Sequence, residues 1–166
     1  KAMNIPPGFN RNFGFQNWKD FDKQLWEKIT EDAQTKRKEP ESRIFTSDIN
    51  AKAVSVTKAN LTNAGLREYS DVTIKDFFEL KPKSSKGMIL LNPAYDERMT
   101  DEKIKEHYKK IGDKLKTDFT GFNAYIISGN LEALKHVGLK PAFRKPLYNG
   151  KIETRFNKYE LYKGSR

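Results

Sequence analysis

Apolar positions along the chain fall into short strand-like runs that alternate with periodic, helix-like segments. Phe21, Leu25, Trp26 and Ile29 recur at helical spacing, which predicts an amphipathic helix over 20–37. Short apolar runs predict strands, and segments with one apolar face predict helices. The further predicted elements are strand 43–47, helix 51–64, strand 72–74, strand 88–91, helix 101–116, strand 123–128, helix 131–137 and strands 143–148 and 153–162.

Polar and glycine residues mark where these elements begin and end. Asn50 is placed to cap the helix 51–64, and Gly65 is placed to end it. Gly138 closes the helix 131–137, and Asn149-Gly150 is a strong turn pair for a final hairpin. Strands alternate with helices four times before this hairpin. The order predicts an α/β fold with a mostly parallel sheet and a C-terminal antiparallel hairpin.

One stretch organises the chain, namely the strand Met88 to Leu91 and the turn that follows it. The run is continuously apolar, which predicts a strand buried on both faces. Pro93 cannot sit in a central strand, so Asn92, Pro93, Ala94 and Tyr95 form a turn at its carboxyl edge. A carboxamide, a rigid turn and an aromatic ring suit the binding of a planar amide-like group. A plain strand followed by a turn is the alternative.

Two acidic residues follow the preceding strands. Asp48 stands between a strand and a helix, where an acid in a Rossmann-like sheet accepts hydrogen bonds from ribose hydroxyls. Helping to cap the next helix is its alternative role. Asp76 ends the next strand, so one parallel sheet would place Asp48, Asp76 and Asn92 side by side at one edge. Together they predict a site shaped for a nucleoside.

Composition favours a nucleic-acid partner. The 166 residues carry a formal net charge of +10 with a pI near 9.6, which favours nucleic acid first and an acidic membrane surface second. A merely soluble basic protein is the alternative.

The chain has no cysteine and only His107 and His136, so we expect no metal site. No apolar run approaches membrane-spanning length and no signal peptide is visible, so we expect a cytoplasmic protein without a membrane partner.

The turn resembles the Asn-Pro-Pro-Tyr motif of the amino-methyltransferases, and the flanking segments narrow that resemblance. The turn and these segments occur in the same order as in the large-subunit ribosomal RNA guanine-N2 methyltransferases. The similarity to that family extends over almost the whole chain. The matching segments are 4–18, 46–50, 92–98, 108–115, 128–130 and 146–153.

The resemblance implies a Rossmann-like methyltransferase fold, S-adenosyl-L-methionine as cofactor and ribosomal RNA as partner. It implies direct methyl transfer to an exocyclic base amine, most specifically guanine N2 in 23S ribosomal RNA. Basic residues such as Arg144 and Lys145 would hold phosphates. The implied catalytic residues are Asn92, Pro93 and Tyr95; the cofactor residues are Asp48, Ile49, Asp76, Phe77 and Asn92; the substrate residues are Ala94, Tyr95, Arg98, Asn149 and Lys151.

The chain departs from the family pattern at several points. Ala94 replaces a proline of the motif and Asp96 a glycine. The family's first strand and glycine-rich loop are missing, and no Gly-x-Gly occurs. We therefore expect residues 1–166 to be a partial catalytic domain, an aromatic loop over 1–19 followed by an α/β core over 20–166. We expect a gap or a re-paired strand in the sheet, and weak or no cofactor binding and activity.

Two other functions fit parts of the sequence. An adenine-N6 DNA methyltransferase would share the Asn-Pro-x-Tyr turn, although the flanking segments fit it less well. A non-catalytic RNA-binding module that kept the fold would explain Ala94 and the missing glycine-rich loop. The oligomeric state has no signal in the sequence.

Overall fold

The computed structural model describes residues 3–6, 11–93 and 100–164 of the chain. The chain divides into two compact units, which we call unit one (Lys1–Phe77) and unit two (Phe78–Arg166). Each unit contains its own β-sheet.

Unit one is a parallel β–α–β arrangement preceded by a helix and an aromatic segment. Strands β1 and β2 pair in parallel and form a two-stranded sheet. Phe13, Phe15 and Phe21 pack their rings around Trp26, so the aromatic segment packs onto the first helix. The elements are a 3-10 helix Gly14–Asn17, α1 Lys23–Thr35, β1 Ile44–Asp48, α2 Ala51–Asn63, a 3-10 helix Arg67–Tyr69 and β2 Ser70–Ile74.

Side-chain caps and a glycine set the helix limits in unit one. The Asp22 side chain accepts from the amide of Leu25, so α1 begins after Asp22. The side chain of Asn50 accepts from the amides of Lys52 and Ala53, which confirms the predicted cap of α2. Gly65 has φ of 65°, a left-handed conformation that glycine adopts without strain, and α2 ends there as predicted.

Unit two is a four-stranded mixed sheet in the order β3-β4-β6-β5. Strands β3 and β4 are parallel, whereas β6 is antiparallel to both β4 and β5. A 3-10 helix Phe77–Glu79 lies at the junction of the two units. The elements of unit two are β3 Gly87–Leu91, α3 Asp101–Asp118, β4 Phe122–Ser128, a 3-10 helix Ala133–Val137, β5 Phe143–Asn149 and β6 Ile152–Glu160.

The core of unit two forms between α3, the 3-10 helix Ala133–Val137 and one face of the sheet. The apolar face predicted for α3 is confirmed, since Ile104, Tyr108, Ile111 and Leu115 are all buried. Gly112 lies on the same face, where a Cβ atom would come within 1.7 Å of the Val137 carbonyl oxygen. The close approach of these two helices therefore requires glycine at this position.

The fold class predicted from the sequence is confirmed, but β3 is not the doubly buried strand that was expected. Its side chains Met88 and Leu90 are 72% and 65% exposed. The reason is that Met88 and Leu90 lie opposite Asn123 and Tyr125, on the sheet face away from the buried core. Strand β3 is also an edge strand, paired only with β4 within the described residues. Strands β1 and β2 form a sheet of their own, so no re-paired neighbour of β3 is found among the described strands.

Two smaller predictions differ in detail. The helix 131–137 is a 3-10 helix over Ala133–Val137, and it ends at Gly138 with φ of 65° as expected. The hairpin turn consists of Gly150 and Lys151, one residue later than the pair Asn149-Gly150, because Asn149 pairs with Ile152.

Candidate active site

Asp48 and Asp76 follow neighbouring parallel strands of unit one. Asp48 is the last residue of β1 and lies opposite Ile74, the last residue of β2. The amide of Lys75 donates to the carbonyl of Asp48 at 3.1 Å, which extends the parallel pairing by one bond. Because both strands end here, the two acids leave the sheet at the same edge. The structure thus brings this part of the predicted site together.

The geometry of Asp48 is compatible with both roles that the sequence left open, capping of α2 and binding of ribose hydroxyls. Its Oδ1 accepts from the amide of Asn50 at 2.7 Å, and Asn50 caps α2, so Asp48 shapes the start of that helix. Its Oδ2 has no hydrogen-bond partner among the described residues. The side chain is exposed, and the adjacent Ile49 is 71% exposed. One carboxylate oxygen therefore remains available to accept from a hydroxyl group.

Asp76 and Phe77 occupy the segment between β2 and the following 3-10 helix. Both side chains are half-buried, in contrast to the exposed Asp48. A half-buried carboxylate next to a half-buried ring can accept from an amine and pack against the attached aromatic ring system. This combination fits the adenine end of a nucleoside.

Asn92 and Pro93 directly follow β3 in unit two. Asn92 is exposed and Pro93 is half-buried, and the strand ends before the proline as predicted. The exposed carboxamide of Asn92 can therefore accept from an amine. The predicted site residues Ala94, Tyr95 and Arg98 lie outside the described residues.

A group of hydrogen bonds forms at the carboxyl end of β4, the strand that pairs with β3. Ser128 Oγ lies 2.6 Å from the Tyr108 hydroxyl and accepts from the amide of Asn130 at 3.0 Å. The side chain of Asn130 accepts from the amide of Ala133 at 2.8 Å. These bonds hold the segment after β4 against α3, so the group has a structural role.

Lys114 holds the segment at the start of unit two, a contact that the sequence did not indicate. Its Nζ donates to the main-chain carbonyl of Phe78 at 2.7 Å and pairs with Asp118, which also binds Lys81 at 2.8 Å. Hydrogen bonds from Lys114 and Lys81 hold the pKa of Asp118 below its usual value. The i,i+4 spacing could have indicated the pair on α3, but the partners Phe78 and Lys81 lie more than thirty residues away. Lys114 therefore fixes the main chain directly after Phe77.

The remaining predicted substrate residues, Asn149 and Lys151, lie at the tip of the β5–β6 hairpin and are both exposed. Within the described ranges 3–6, 11–93 and 100–164 there is no group of three or more metal-binding side chains. None of the helices described in those ranges is long and apolar enough to cross a membrane.

The two parallel β–α–β pairs, the polar residues Asp48, Asp76 and Asn92 at the ends of their strands and the closing antiparallel hairpin define an α/β fold of the methyltransferase type. The chain belongs to the family UPF0020, described as an RMKL-like methyltransferase domain, whose profile matches residues 1–158.

Curated relatives support this family, and solved structures share the fold. The ribosomal RNA large subunit methyltransferase K/L of Shewanella baltica is 31% identical over 99% of this chain. The match covers 24% of that protein, so the chain spans about a quarter of the length of the curated relatives it matches. The structure of SMU.472 in complex with SAH superposes with a TM-score of 0.86 at 22% identity, covering 98% of this chain and 44% of that one. A predicted N6-adenine-specific DNA methylase from Listeria monocytogenes superposes with a TM-score of 0.82 at 24% identity. The match covers 96% of this chain and 41% of that one.

Proposed function

We propose that this chain contributes the base-binding turn and the adenosine-binding acids of an S-adenosylmethionine-dependent methyltransferase. The substrate is an exocyclic amine of a base in ribosomal RNA, specifically guanine N2 in 23S ribosomal RNA. The 31% identity to the K/L methyltransferase over 99% of the chain carries the proposal. It is supported by Asn92 and Pro93 directly after β3, and by Asp48 and Asp76 at one edge of unit one.

The described residues fit the adenosine half of the cofactor. Asp48 Oδ2 would accept from the ribose hydroxyls, next to the exposed side chain of Ile49. Asp76 would accept from the adenine amine, and Phe77 would pack on the ring. The SMU.472 structure, which shares the fold, was solved with SAH, the demethylated form of this cofactor. When bound, the cofactor supplies the methyl group.

The chain's own residues would act chiefly by positioning the base. Asn92 Oδ1 and the Pro93 carbonyl oxygen would accept the two hydrogens of the amine, which orients the nitrogen lone pair. These oxygens would also stabilise the positive charge that develops on the nitrogen. Tyr95 would stack on a base turned out of the RNA, and Ala94 and Arg98 would also contribute to substrate binding. Asn149 and Lys151 would contact the RNA from the hairpin tip.

Methylation by the full-length protein that carries this chain tests the proposal. The substrate is 23S ribosomal RNA from cells that lack the modification, and the product is identified by mass spectrometry of nucleosides. We expect N2-methylguanosine from the unmodified protein and loss of about a hundred-fold or more in rate for Asn92→Ala. The matched control is Asn60→Ala, which changes an exposed asparagine on α2. Equal rates for both variants would contradict the assigned role of Asn92.

Adenine-N6 methylation of DNA is the second candidate. The Asn92-Pro93-Ala94-Tyr95 sequence fits it as well, and one structural neighbour is described as an adenine-specific DNA methylase. That neighbour is 24% identical and shows the fold alone. Parallel reactions with DNA and RNA discriminate the two, since N6-methyladenine in DNA would favour this candidate. Absence of cofactor binding by the full-length protein, measured by calorimetry, would instead favour a non-catalytic RNA-binding module.

A further inference from the structure

The β5–β6 hairpin presents a row of cationic and aromatic side chains on one face. In the antiparallel register, Pro146 lies opposite Arg155 and Tyr148 lies opposite Glu153. Opposite residues share a face, as do alternate residues along a strand, so Arg144, Tyr148 and Arg155 lie on the same face. Lys151 follows in the two-residue turn at the tip.

Tyr148 is the aromatic member of this row and is nearly free of packing. Its side chain is 73% exposed, the highest value among the exposed large hydrophobic residues described. No ring contact is found for it within the part of the chain that the structure describes. Its cross-strand neighbour is Glu153, and Arg144 and Arg155 lie further along the same face. An exposed ring on a ribbon of net positive charge offers a flat surface on which an unstacked base can bind.

The charge of this ribbon is strongly positive. Residues 140–158 contain six Lys or Arg and one acidic residue. Arg155 is paired with that acid, Glu153, at 3.4 Å. Within the described ranges, no ion pair is found for Arg144, Lys145 or Lys151. These three charges are therefore available to neutralise phosphates, which is the main source of affinity for nucleic acids.

We propose that the β5–β6 ribbon binds single-stranded RNA, with Tyr148 stacking on one base and Arg144 and Lys151 holding the adjacent phosphates. The proposal rests on the proposed function for its choice of RNA. It adds a base-stacking residue, Tyr148, to the contacts of Arg144, Asn149 and Lys151 that the family resemblance implies. An acidic protein partner would use the cations but would offer no planar bases for Tyr148.

Fluorescence anisotropy with the chain and a labelled single-stranded RNA of about 12 nucleotides tests the proposal without cofactor or methyl transfer. We expect Tyr148→Ala to weaken binding about ten-fold, whereas Tyr148→Phe keeps the ring and binds as the unmodified chain does. Lys151→Gln should weaken binding and lower the slope of affinity against salt by about one ion, while Tyr148→Ala leaves that slope unchanged. The charge-matched control is Lys103→Gln on the exposed surface of α3, for which we expect no comparable loss.

Several results would overturn the proposal. They are an equal effect of Lys151→Gln and Lys103→Gln, unchanged binding by Tyr148→Ala, tighter binding of DNA of the same sequence, and no RNA binding by the unmodified chain at low salt. Circular dichroism and thermal unfolding of each variant verify the fold, which these exposed substitutions should preserve. RNA binding through Tyr148 without methylation would uphold the ribbon and contradict the methyltransferase assignment. Methylation together with unchanged RNA binding by Tyr148→Ala would uphold the methyltransferase assignment and contradict the ribbon proposal.

Discussion

The hydroxyl of Tyr108 on α3 lies 2.6 Å from the Oγ of Ser128, the last residue of β4, and both side chains are completely buried. The same Oγ accepts from the amide of Asn130, so the helix, the strand and the following turn share one buried polar group. Since β4 pairs with β3, this group stabilises the strand next to the one that Asn92 follows.

Removing the phenol oxygen should therefore destabilise unit two. We expect Tyr108→Phe to lower the free energy of unfolding by about 1 kcal/mol, because a buried hydrogen bond is lost while the ring remains. Urea denaturation followed by circular dichroism measures the change. Tyr148→Phe, at an exposed position, is the control and should be neutral within about 0.5 kcal/mol. An equal effect of the two variants would show that the buried pair adds nothing.

The contact between α3 and the Val137 carbonyl leaves no room for a side chain at Gly112. A Cβ atom there would lie 1.7 Å from that oxygen, so Gly112→Ala must push the two helices apart. We expect a loss of about 3 kcal/mol in unfolding free energy, at the upper end for overpacking. Gly14→Ala is the matched control, since a Cβ atom at Gly14 meets no atom within 4 Å. Thermal unfolding of both variants compares them, and a similar melting temperature would contradict the close approach of the two helices.

The ion pairs of Asp118 should make stability depend on pH in the acidic range. Lys114 and Lys81 hold the pKa of Asp118 below its usual value, so the folded state favours the charged form. The stabilisation is complete above the unfolded pKa of about 4 and is lost as the pH falls through the lower folded pKa. Asp118→Asn should therefore lose less stability than the unmodified chain between about pH 6 and pH 3. Urea midpoints across this range measure the difference.

The control for this pH effect is Asp113→Asn, which changes an exposed acid on the same helix. Its loss of stability on acidification should follow that of the unmodified chain. If Asp118→Asn and Asp113→Asn gave the same pH profile, the contacts of Asp118 with Lys114 and Lys81 would not be the cause.

Substitution of Asp48 separates its two roles. Asn keeps an oxygen for the amide of Asn50 but removes the negative charge, so Asp48→Asn should leave the unfolding free energy nearly unchanged. Loss of a charged acceptor for ribose hydroxyls should weaken S-adenosylmethionine binding to the full-length protein by about ten- to a hundred-fold. Isothermal titration calorimetry measures the affinity. Unchanged affinity would leave Asp48 with the helix-capping role alone.

Local sequence signals predicted the elements but not the contacts between distant segments. The cap at Asn50 and the apolar face of α3 are set by neighbours within one or two turns, and both were correct. The apolar run at Met88 to Leu91 correctly predicted a strand. Its burial on both faces was wrong, because burial depends on whether a distant segment covers each face of the sheet. The contact of Lys114 with Phe78 links residues 36 positions apart. The i,i+4 spacing of Lys114 and Asp118, which is typical of exposed helix surfaces, does not reveal it.

In the candidate site, too, local sequence signals predicted the positions of the residues but not all of their contacts. Proline after an apolar run and acids after strand ends were enough to place Asn92, Asp48 and Asp76 at strand termini. The hydrogen bond from Asn50 to Asp48 depends on the local path of the chain, so the sequence could only leave both of its roles open. The roles of these residues toward cofactor and base stay predictions.

The exposed edge of β3 has a practical consequence for handling the chain. Within the residues that the structure describes, β3 pairs with β4 alone, and Met88 and Leu90 protrude beside its other edge. Such an edge strand is a template for β-pairing between molecules. Self-association should therefore increase with concentration and begin at this strand. A charge at the exposed position, as in Leu90→Lys, would oppose such stacking and keep the chain monodisperse.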